Sequence, residues 1–600
     1  MSQIVEVLPD VSGIDRHFAY EVPAGLAGRL EIGSIVRVLL HGRRVRGWVV
    51  GETAELAPEI ELRPVSDLLS FGPPKSVVEL GRWAAWRYGG RLRPLLVAAS
   101  PPRLLRALPA PGAAPAPQAA ENGALEHEIA LATGQALSSR RAVLRLPPAA
   151  PRQAVIEAVF KMCSQAPGDL LVLAASRNDA VTLAGRLERT GHDVALLPEA
   201  WAEAASGGRT VVGTRSAVLA PLRALSGIVV LDAHADSYQE ERVPTWEAAV
   251  LADERARRAN VPCLLVSACP GLDILDGRVL VTLSREAERS GWAPVEVLDA
   301  RDEDPRAGGY PTRLASLIRD AAAAQPGRKV VAVLNRKGRA RLLACGRCRS
   351  LLRCERCGAA LAQLAKPPAG EAALLHCPRC SFHGPATCPS CGPTRPRILR
   401  PGVARAREDL AALTGLEVAE IDRAATEGES GPQAPVLIGT EAVLHRVGSA
   451  SLVVFLDFDH ELLAPRYRAG EQALSLLALA SRVVGGRRRA GRVAVRTRLL
   501  DHEVLAAALH GDPGRLTAVE KPRRELLRLP PTTALALLSG DGAADLVARM
   551  ERGDAGLEVG SLAPGRFLVR ASGPDVLAAA LASAGPPGPA TRVEVAPRQV

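Results

Sequence analysis

Eight of the eleven cysteines of this 600-residue chain lie between residues 345 and 391, in four Cys-x2-Cys pairs that are called knuckles below. The knuckles are Cys345/Cys348, Cys354/Cys357, Cys377/Cys380 and Cys388/Cys391. A two-residue spacer lets both thiolates reach one tetrahedral ion, and two knuckles complete a closed site with Zn–S distances of about 2.3 Å. The segment is therefore predicted to hold two structural zinc ions. It is also predicted to need them for folding, because it has few large apolar residues.

Other chemistries for these cysteines fit less well. A disulfide framework belongs to exported proteins, and the N-terminus lacks the basic and apolar runs of a secretion signal. Iron–sulfur clusters use one four-cysteine set with different spacing. His376 and His383 could also ligate a metal, but eight thiolates already saturate two ions. The remaining cysteines, in apolar contexts typical of buried thiols, are Cys163, Cys263 and Cys269.

Sequence patterns divide the rest of the chain into domains. Short alternating apolar runs with intervening turn residues predict a β-rich domain at 1–100, and a Pro/Ala-rich stretch predicts a linker at 101–124. Aliphatic runs that alternate with helical stretches then predict parallel sheets covered on both faces. The predicted parts are a first α/β lobe at 125–290, a second lobe at 291–344 and 392–505 around the zinc-binding insertion 345–391, and a small α+β domain at 506–600.

The strands of the two lobes are expected where aliphatic residues run continuously. The candidates are Leu170–Ala174, Val194–Leu197, Thr210–Gly213, Ile228–Leu231, Cys263–Ser267, Val330–Leu334, Val436–Gly439, Leu452–Leu456 and Val493–Arg496. The expected fold class is thus a multidomain α/β protein.

The charge of the chain favours a polyanionic partner without proving one. Lys+Arg 75 against Asp+Glu 64 gives a net charge of +11, and neutralising phosphates would release counterions. Only six of the basic residues are lysines, and a GC-rich genome produces such Arg-, Ala-, Gly- and Pro-rich chains without selection for binding. No apolar stretch approaches the ~20 residues that span a bilayer, so a cytoplasmic location without a membrane partner is expected.

Two α/β lobes in a basic chain suggest a nucleic-acid-dependent ATPase, but the phosphate-binding loop is missing. Such a loop needs glycine N–H groups around the phosphates, a Lys on the β/γ oxygens and a Ser/Thr hydroxyl on Mg²⁺. None of the six lysines follows a glycine. Where the loop would precede the first helix of lobe 1, Pro147, Pro148 and Pro151 remove backbone donors. Enzymatic ATP turnover is therefore not expected.

Several segments resemble, in chain order, the motifs of one bacterial family. The segments are Phe18–Pro23 and Gly33–Val38 (N-terminal domain), Thr210–Pro221 (VVVGTRSAVFAP), Leu334–Gly338 (LNRRG), Ile421–Arg423 (IDR), Val436–Thr440 (ILIGTQ), Arg468 with Glu471 (FRAxE) and Pro530–Pro531 (a proline pair). The family is that of primosomal protein N′, or PriA, the replication restart helicases of bacteria.

The departures from the family pattern concern its ATPase elements. Pro147–Gln153 stands at GxTGSGKT, Leu231–His234 keeps one carboxylate of the DEEH acid pair, Ser267–Pro270 stands at SATP, and Ser481–Gly486 stands at AGRAGR with the arginines displaced. The chain therefore resembles the degenerate actinobacterial type, an assembly protein without the motor.

The resemblance implies a non-enzymatic protein that binds abandoned or stalled replication forks and promotes primosome assembly and replicative helicase loading. Its implied partners are forked DNA, primosome components, the replicative helicase and single-stranded DNA-binding protein. Two RecA-like, helicase-type lobes are implied as well. So is a nested sharing of two zinc ions, with Cys345, Cys348, Cys388 and Cys391 on one and Cys354, Cys357, Cys377 and Cys380 on the other.

The family's N-terminal domain holds the 3′ end of a nascent strand, which suggests DNA-binding residues here. Phe18 and Tyr20 lie at the matching turn, where an aromatic face could stack on a terminal base, although both also suit a β-domain core. Ala19 replaces the Asp commonly found there. The candidates for phosphate contacts, which could equally form a solvated strand face, are Arg37, Arg43, Arg44 and Arg46.

Two alternative functions stay open at this point. The first is an ATP-dependent 3′–5′ DNA helicase with a non-standard nucleotide site, in which Arg152 stands in for the missing lysine. Arginine cannot replace the glycine donors or the magnesium ligand, which weighs against it. The second is a zinc-dependent adaptor in RNA metabolism, which competition between forked DNA and structured RNA would separate from a fork-binding protein.

Overall fold

The computed structural model describes residues 3–53, 62–112, 123–139, 141–163, 168–301, 310–325, 327–335, 343–348, 352, 361–363, 374–376, 383–388, 391–398, 403–421, 433–464, 466–553, 556–588 and 590–598. Contacts divide the chain into two compact units. The first comprises Met1–Arg289, Pro465–Ser475 and His510–Val600, and the second comprises Ser290–Ala464 and Leu476–Leu509. Within the described part of the chain, no helix combines the length and the hydropathy that crossing a bilayer requires.

The first unit begins with an antiparallel five-stranded sheet followed by two helices. The elements are β1 (Ile4–Pro9), β2 (Phe18–Glu21), β3 (Ile35–Leu40), β4 (Arg43–Thr53), β5 (Asp67–Ser70), α1 (Lys75–Arg87) and α2 (Leu92–Ala99), with strand order β2-β1-β4-β3-β5. Between β3 and β4 the two turn residues His41 and Gly42 have φ angles of 48° and 79°. A two-residue hairpin turn with both φ angles positive matches the twist of its strands, which makes this a tight hairpin.

Lobe 1 is a parallel seven-stranded sheet with helices between its strands. Its strands are β6 (Arg141–Arg145), β7 (Asp169–Leu173), β8 (Val194–Leu196), β9 (Thr210–Gly213), β10 (Leu225–Val230), β11 (Cys263–Ser267) and β12 (Val279–Thr282), in the order β12-β6-β11-β10-β7-β9-β8. Its helices are α3 (Ala124–Ser138), α4 (Arg152–Cys163), α5 (Arg177–Arg189), α6 (Trp201–Ser206), α7 (Ala248–Ala259), α8 (Leu272–Leu275) and α9 (Arg285–Gly291).

The second unit contains lobe 2, a parallel six-stranded sheet. The elements before the cysteine segment are β13 (Val295–Asp299), α10 (Thr312–Ala324) and β14 (Lys329–Val333). The cysteine segment contributes the short strands β15 (Leu343–Cys345), β16 (Ala362–Gln363), β17 (Leu374–His376), β18 (His383–Pro385), β19 (Thr387–Cys388), β20 (Gly392–Pro393) and β21 (Pro396–Ile398).

After the cysteine segment the chain returns to the lobe 2 sheet. The elements are α11 (Val403–Thr414), β22 (Val418–Ile421), β23 (Val436–Gly439), α12 (Ala442–Arg446), β24 (Ala450–Phe455), α13 (Asp459–Leu462), α14 (Ala469–Val484), β25 (Arg492–Thr497) and α15 (Glu503–His510). The strand order of the sheet is β13-β25-β24-β14-β23-β22. The start of α14, up to Ser475, belongs to the first unit, which also contains the C-terminal region His510–Val600.

The C-terminal region is a small α+β domain with an antiparallel sheet. Its elements are α16 (Gly514–Leu526), β26 (Ala534–Ser539), α17 (Ala543–Gly553), β27 (Glu558–Ala563), β28 (Arg566–Ala571), α18 (Pro574–Ser583) and β29 (Arg592–Val595), with strand order β27-β28-β26-β29. Its buried aliphatic residues join those of lobe 1 and α1 in one core. The predicted multidomain α/β fold class is confirmed: a β-rich N-terminal domain, two parallel α/β lobes with a cysteine-rich insertion, and an α+β C-terminal domain.

Candidate metal centre and DNA-contacting residues

Strand pairing brings the first and the fourth knuckle together. Strand β15 pairs with β21, so that Cys345 lies opposite Pro396. Strand β19 pairs with β20, so that Cys388 lies opposite Gly392, which has a φ of 83° directly after Cys391. These two short ladders fix the chain on both sides of the cluster.

The four sulfurs of this cluster have the spacing of a tetrahedral metal site. The Sγ atoms of Cys345 and Cys391 are 3.3 Å apart, those of Cys348 and Cys388 are 3.4 Å apart, and all four lie within 4.8 Å of one another. Four Zn–S bonds of about 2.3 Å in a tetrahedron put the sulfurs roughly 3.8 Å apart. Cys345, Cys348, Cys388 and Cys391 could therefore hold one metal ion, and they are the set of four that the resemblance implies for one site.

Hydrogen bonds around Cys345 favour its thiolate form, which is the form that binds metal. The Thr394 hydroxyl lies 3.0 Å from Cys345 Sγ, and the backbone N–H groups of Cys348 and Arg347 point at the same sulfur. The Thr394 contact has the largest effect, and together these groups lower the pKa of Cys345 to about 5. The cluster thus has the N–H···S bonds expected of a zinc knuckle.

The other predicted ligand set lies outside the described residues. It comprises Cys354, Cys357, Cys377 and Cys380. His383, one of the two histidines considered as metal ligands, is exposed on β18. The group of possible metal ligands found among the described residues contains no histidine.

The two aromatic candidates of the N-terminal domain occupy different environments. Tyr20 is 3% exposed, its hydroxyl donates to the Leu39 carbonyl at 3.2 Å, and burial raises its pKa despite the opposing charge of Arg63. Phe18, two residues earlier on β2, is only partly buried, and the guanidinium of Arg16 lies 5.5 Å from its ring centre. Of the two rings, Phe18 is the one that solvent reaches.

The four candidate arginines lie on the β3–β4 hairpin, and all are exposed. Arg37 lies directly opposite Arg46, and Arg44, two residues from Arg46, shares its face of the sheet. Arg46 is held by Asp10, with Nε 3.0 Å from Oδ2, and Arg93 contacts the other oxygen of Asp10 at 2.7 Å. Arg37, Arg43 and Arg44 have no ion-pair partner among the described residues.

Lobe 1 carries an ion-pair network where a phosphate-binding loop would lie. After β6 the three prolines lead directly to Arg152, the first residue of α4. Its Nη1 lies 2.7 Å from Asp232 after β10, and its Nη2 lies 2.7 Å from Asp179 in the first turn of α5. Burial disfavours the charge of Arg152, but the two carboxylates outweigh burial and hold its pKa above the ordinary value. A side-chain cation therefore sits between two carboxylates of this edge.

Sequence reasoning missed Asp179. It belongs to the start of α5, where Ser176 accepts from the Asp179 N–H at 3.1 Å and donates to its carboxylate at 2.7 Å. A Ser-x-x-Asp sequence directly after a buried strand is a helix-capping signal. It predicts that a helix starts there, at the carboxyl edge of the sheet. The neighbouring His234 keeps a 2.8 Å contact from Nδ1 to Ser267 Oγ at the end of β11.

Comparisons with known proteins find relatives for the N-terminal domain and for longer parts of the chain. Residues 6–101 match the family model described as the 3′ DNA-binding domain of PriA. "Replication restart protein PriA" of Bacillus subtilis is 25% identical over 55% of this chain and 43% of its own length, and the protein of that name from Treponema pallidum is 29% identical over 54% and 51%. The chain thus spans about half the length of these two relatives.

A mycobacterial relative matches over more of both chains. "Probable replication restart protein PriA" of Mycobacterium tuberculosis H37Rv is 28% identical over 88% of this chain and 85% of its own length. Among solved structures, RecG bound to a three-way DNA junction has a TM-score of 0.37 at 11% identity, covering 67% of this chain and 47% of that one. The Escherichia coli DExH-box NTPase HrpB has a TM-score of 0.33 at 13% identity, with 63% and 42% covered. With a 3′ DNA-binding model matching residues 6–101 and relatives of one name matching along its length, the chain is similar to the PriA replication restart proteins.

Proposed function

We propose that this protein binds abandoned or stalled replication forks in the cytoplasm and promotes primosome assembly and replicative helicase loading, without a motor of its own. The observation that carries the proposal is the Arg152 network. In a working nucleotide site the carboxylate after β10 would serve Mg²⁺, whereas here Asp232 binds a guanidinium. Three prolines in the preceding loop also remove the N–H donors that phosphates need.

Fork binding is proposed to begin in the N-terminal domain. The partly exposed ring of Phe18 could stack on a terminal base, and Arg37, Arg43 and Arg44 are exposed arginines without ion-pair partners among the described residues. Arg46 is assigned a smaller part in phosphate binding, because Asp10 already neutralises it. Tyr20 is assigned to the core of the domain, since its ring is buried.

Two structural zinc ions complete the proposal. The first would be bound by Cys345, Cys348, Cys388 and Cys391, and the second by the four inner cysteines of the segment. Primosome components, the replicative helicase and single-stranded DNA-binding protein are the proposed partners, and the domain boundaries predicted from the sequence belong to the proposal as well.

A fork-binding titration with pure full-length protein tests this function. A labelled synthetic fork should bind with the same affinity in the absence of nucleotide, with ATP and with ADP, and no fork-stimulated phosphate release should occur. Steady ATP hydrolysis coupled to strand separation would contradict the proposal. So would an affinity for structured RNA that exceeds the affinity for the fork.

Variants locate the contact within the N-terminal domain. Arg43→Gln/Arg44→Gln should lower the slope of log affinity against log salt by up to about 2, because each phosphate contact contributes about 0.9. The control Arg257→Gln/Arg258→Gln removes the same charge from arginines that already pair with Glu254 and should leave the slope unchanged. Phe18→Ala should weaken binding about tenfold, since stacking on one base contributes about 1–3 kcal/mol.

A further inference from the structure

A run of three exposed arginines, Arg487–Arg489, lies in the turn between α14 and β25. Gly485 and Gly486 reverse the chain with φ angles of 88° and 66°, and both of their N–H groups donate to the Ser481 carbonyl at the end of the helix. The Arg487 N–H then donates to the Ser290 carbonyl at 2.9 Å. The turn is therefore held by backbone hydrogen bonds.

A fourth arginine faces this turn from the start of β14. Arg328 donates to the Ala450 carbonyl and, at 3.0 Å, to the Val484 carbonyl. Burial and then the nearby charge of Arg489 lower the pKa of Arg328. Because β14, β24 and β25 are parallel, these residues share the amino edge of the lobe 2 sheet, opposite the edge at which α/β proteins bind nucleotides.

Three of these four arginines lack a carboxylate partner in the described part of lobe 2. Among the described residues, no carboxylate forms an ion pair with Arg328, Arg488 or Arg489. Glu296 on the neighbouring β13 contacts Arg313 at 3.0 Å and Arg492 at 3.6 Å instead. Like charges held close together without a counterion lower stability, and a bound anion would relieve that cost.

We infer that this arginine turn (Arg488 and Arg489, with the charge of Arg328 beside them) binds the phosphate backbone of DNA, as a contact of lobe 2 in addition to that of the N-terminal domain. The inference rests on the proposed fork-binding function. Phosphate contacts need only arginines at the surface, whereas protein interfaces depend on buried aromatic or large apolar anchors. The exposed residues of the turn are three arginines and Ala490, so the chemistry favours DNA over an acidic protein.

The salt dependence of fork binding tests the arginine turn. Arg488→Gln/Arg489→Gln should lower the slope of log affinity against log salt by up to about 2. Arg488→Lys/Arg489→Lys keeps both charges and should keep most of the slope. The matched control Arg405→Gln/Arg407→Gln removes two exposed charges from α11 of the same lobe and should change nothing.

The outcomes separate the inference from the proposed function. If Arg43→Gln/Arg44→Gln lowers the slope and Arg488→Gln/Arg489→Gln does not, the inference is wrong and fork binding stands. If the unmodified protein does not bind the fork, both are wrong. If the glutamine variant loses binding to polyglutamate but keeps its fork affinity, the turn serves an acidic protein instead. Should the double variant fail to fold, Arg488→Gln alone is used, with an expected slope change of about 1.

Discussion

The cysteine cluster and the Arg152 network both bring negatively charged groups close together, but they differ in where the balancing positive charge comes from. In both places, groups that carry negative charge converge: four sulfurs at the cluster, and the carboxylates of Asp179 and Asp232 at the edge of lobe 1. At the cluster a bound metal ion could supply the counter-charge. In lobe 1 it comes from the chain itself, because Arg152 places a guanidinium between the carboxylates. The comparison teaches that one region should depend on an added ion and the other should not.

Metal removal should have the largest effect, and it should be confined to one region. The apolar cluster among the described residues of the cysteine segment consists of Leu343, Leu352, Leu361, Leu375 and Ala386 beside Cys345 and Cys388. So few aliphatic side chains cannot offset the chain entropy, and a structural zinc contributes about 10 kcal/mol or more. Chelation should make residues 343–398 sensitive to protease while the lobes stay intact.

A matched pair of cysteine variants checks this assignment. Cys348→Ser should lower the metal content measured by mass spectrometry, whereas Cys163→Ala, at a buried cysteine of lobe 1, should leave it unchanged. A metal-free chain that stays as resistant to protease in this segment as the holoprotein would break the comparison.

Loss of the built-in cation should have the next largest effect. Arg152→Gln removes the guanidinium that both partly buried carboxylates contact, which should cost about 3 kcal/mol and lower the thermal midpoint of lobe 1 by roughly 6–12 °C. Arg177→Gln is the control in the same lobe. It breaks a pair with Glu199, which is 67% exposed, so it should cost no more than about 1 kcal/mol. Equal shifts for the two variants would show that the network has no special role.

Removing the charges on both sides should restore much of the stability. Arg152→Gln/Asp179→Asn/Asp232→Asn leaves no unpaired charge, and replacing a whole buried ion pair costs far less than breaking it. Asn also suits position 232, where φ is 51°. The midpoint should recover at least half of the loss seen with Arg152→Gln. If the triple variant loses as much stability as the sum of the losses of its three single variants, electrostatic coupling between these residues is not the reason for the losses.

Protonation of His192 should have the smallest effect. At this buried residue of lobe 1, burial disfavours the charged form, so that no counter-charge is needed. It is 4% exposed, neither ring nitrogen has a hydrogen-bond partner among the described residues, and burial lowers its pKa against the opposing charge of Glu157. Protonation therefore favours the unfolded chain, so stability should decline as the pH falls below about 6.5. His192→Leu should flatten this dependence between pH 7.5 and 5.5, measured by urea unfolding. An unchanged slope would remove His192 as its source.

Much of the fold was predictable because aliphatic runs reveal buried parallel strands. The nine predicted strands form, with end shifts of a few residues. Strand β6 was missed because Arg141 and Arg145 bracket its apolar core, although Ala142–Leu144 is buried between β11 and β12. The edge strands β12, β13 and β22 were also missed, and most of their residues are exposed or only half-buried.

The candidate sites show the same contrast: patterns of residues close in sequence were predicted, and contacts between distant elements were not. Cys-x2-Cys spacing pointed to the four cysteines that the structure brings together, because a two-residue spacer lets both thiolates of a pair reach one ion. Asp179 escaped attention because its partner Arg152 is distant in sequence, and only the sheet brings the two helices together. The sequence also did not predict that Tyr20 is buried and Phe18 only partly buried, because both lie on the same short strand.

By itself, the sequence determined the spacing of the cysteine pairs, the strand candidates and the lack of a glycine-rich loop before α4, because each depends on residues that are close along the chain. Tertiary structure alone decided that Arg152 would meet Asp179 and Asp232, that Asp10 would neutralise Arg46, and that Arg328 would face Arg489. Each of these contacts joins side chains from different elements, and electrostatic interactions act through space rather than along the chain.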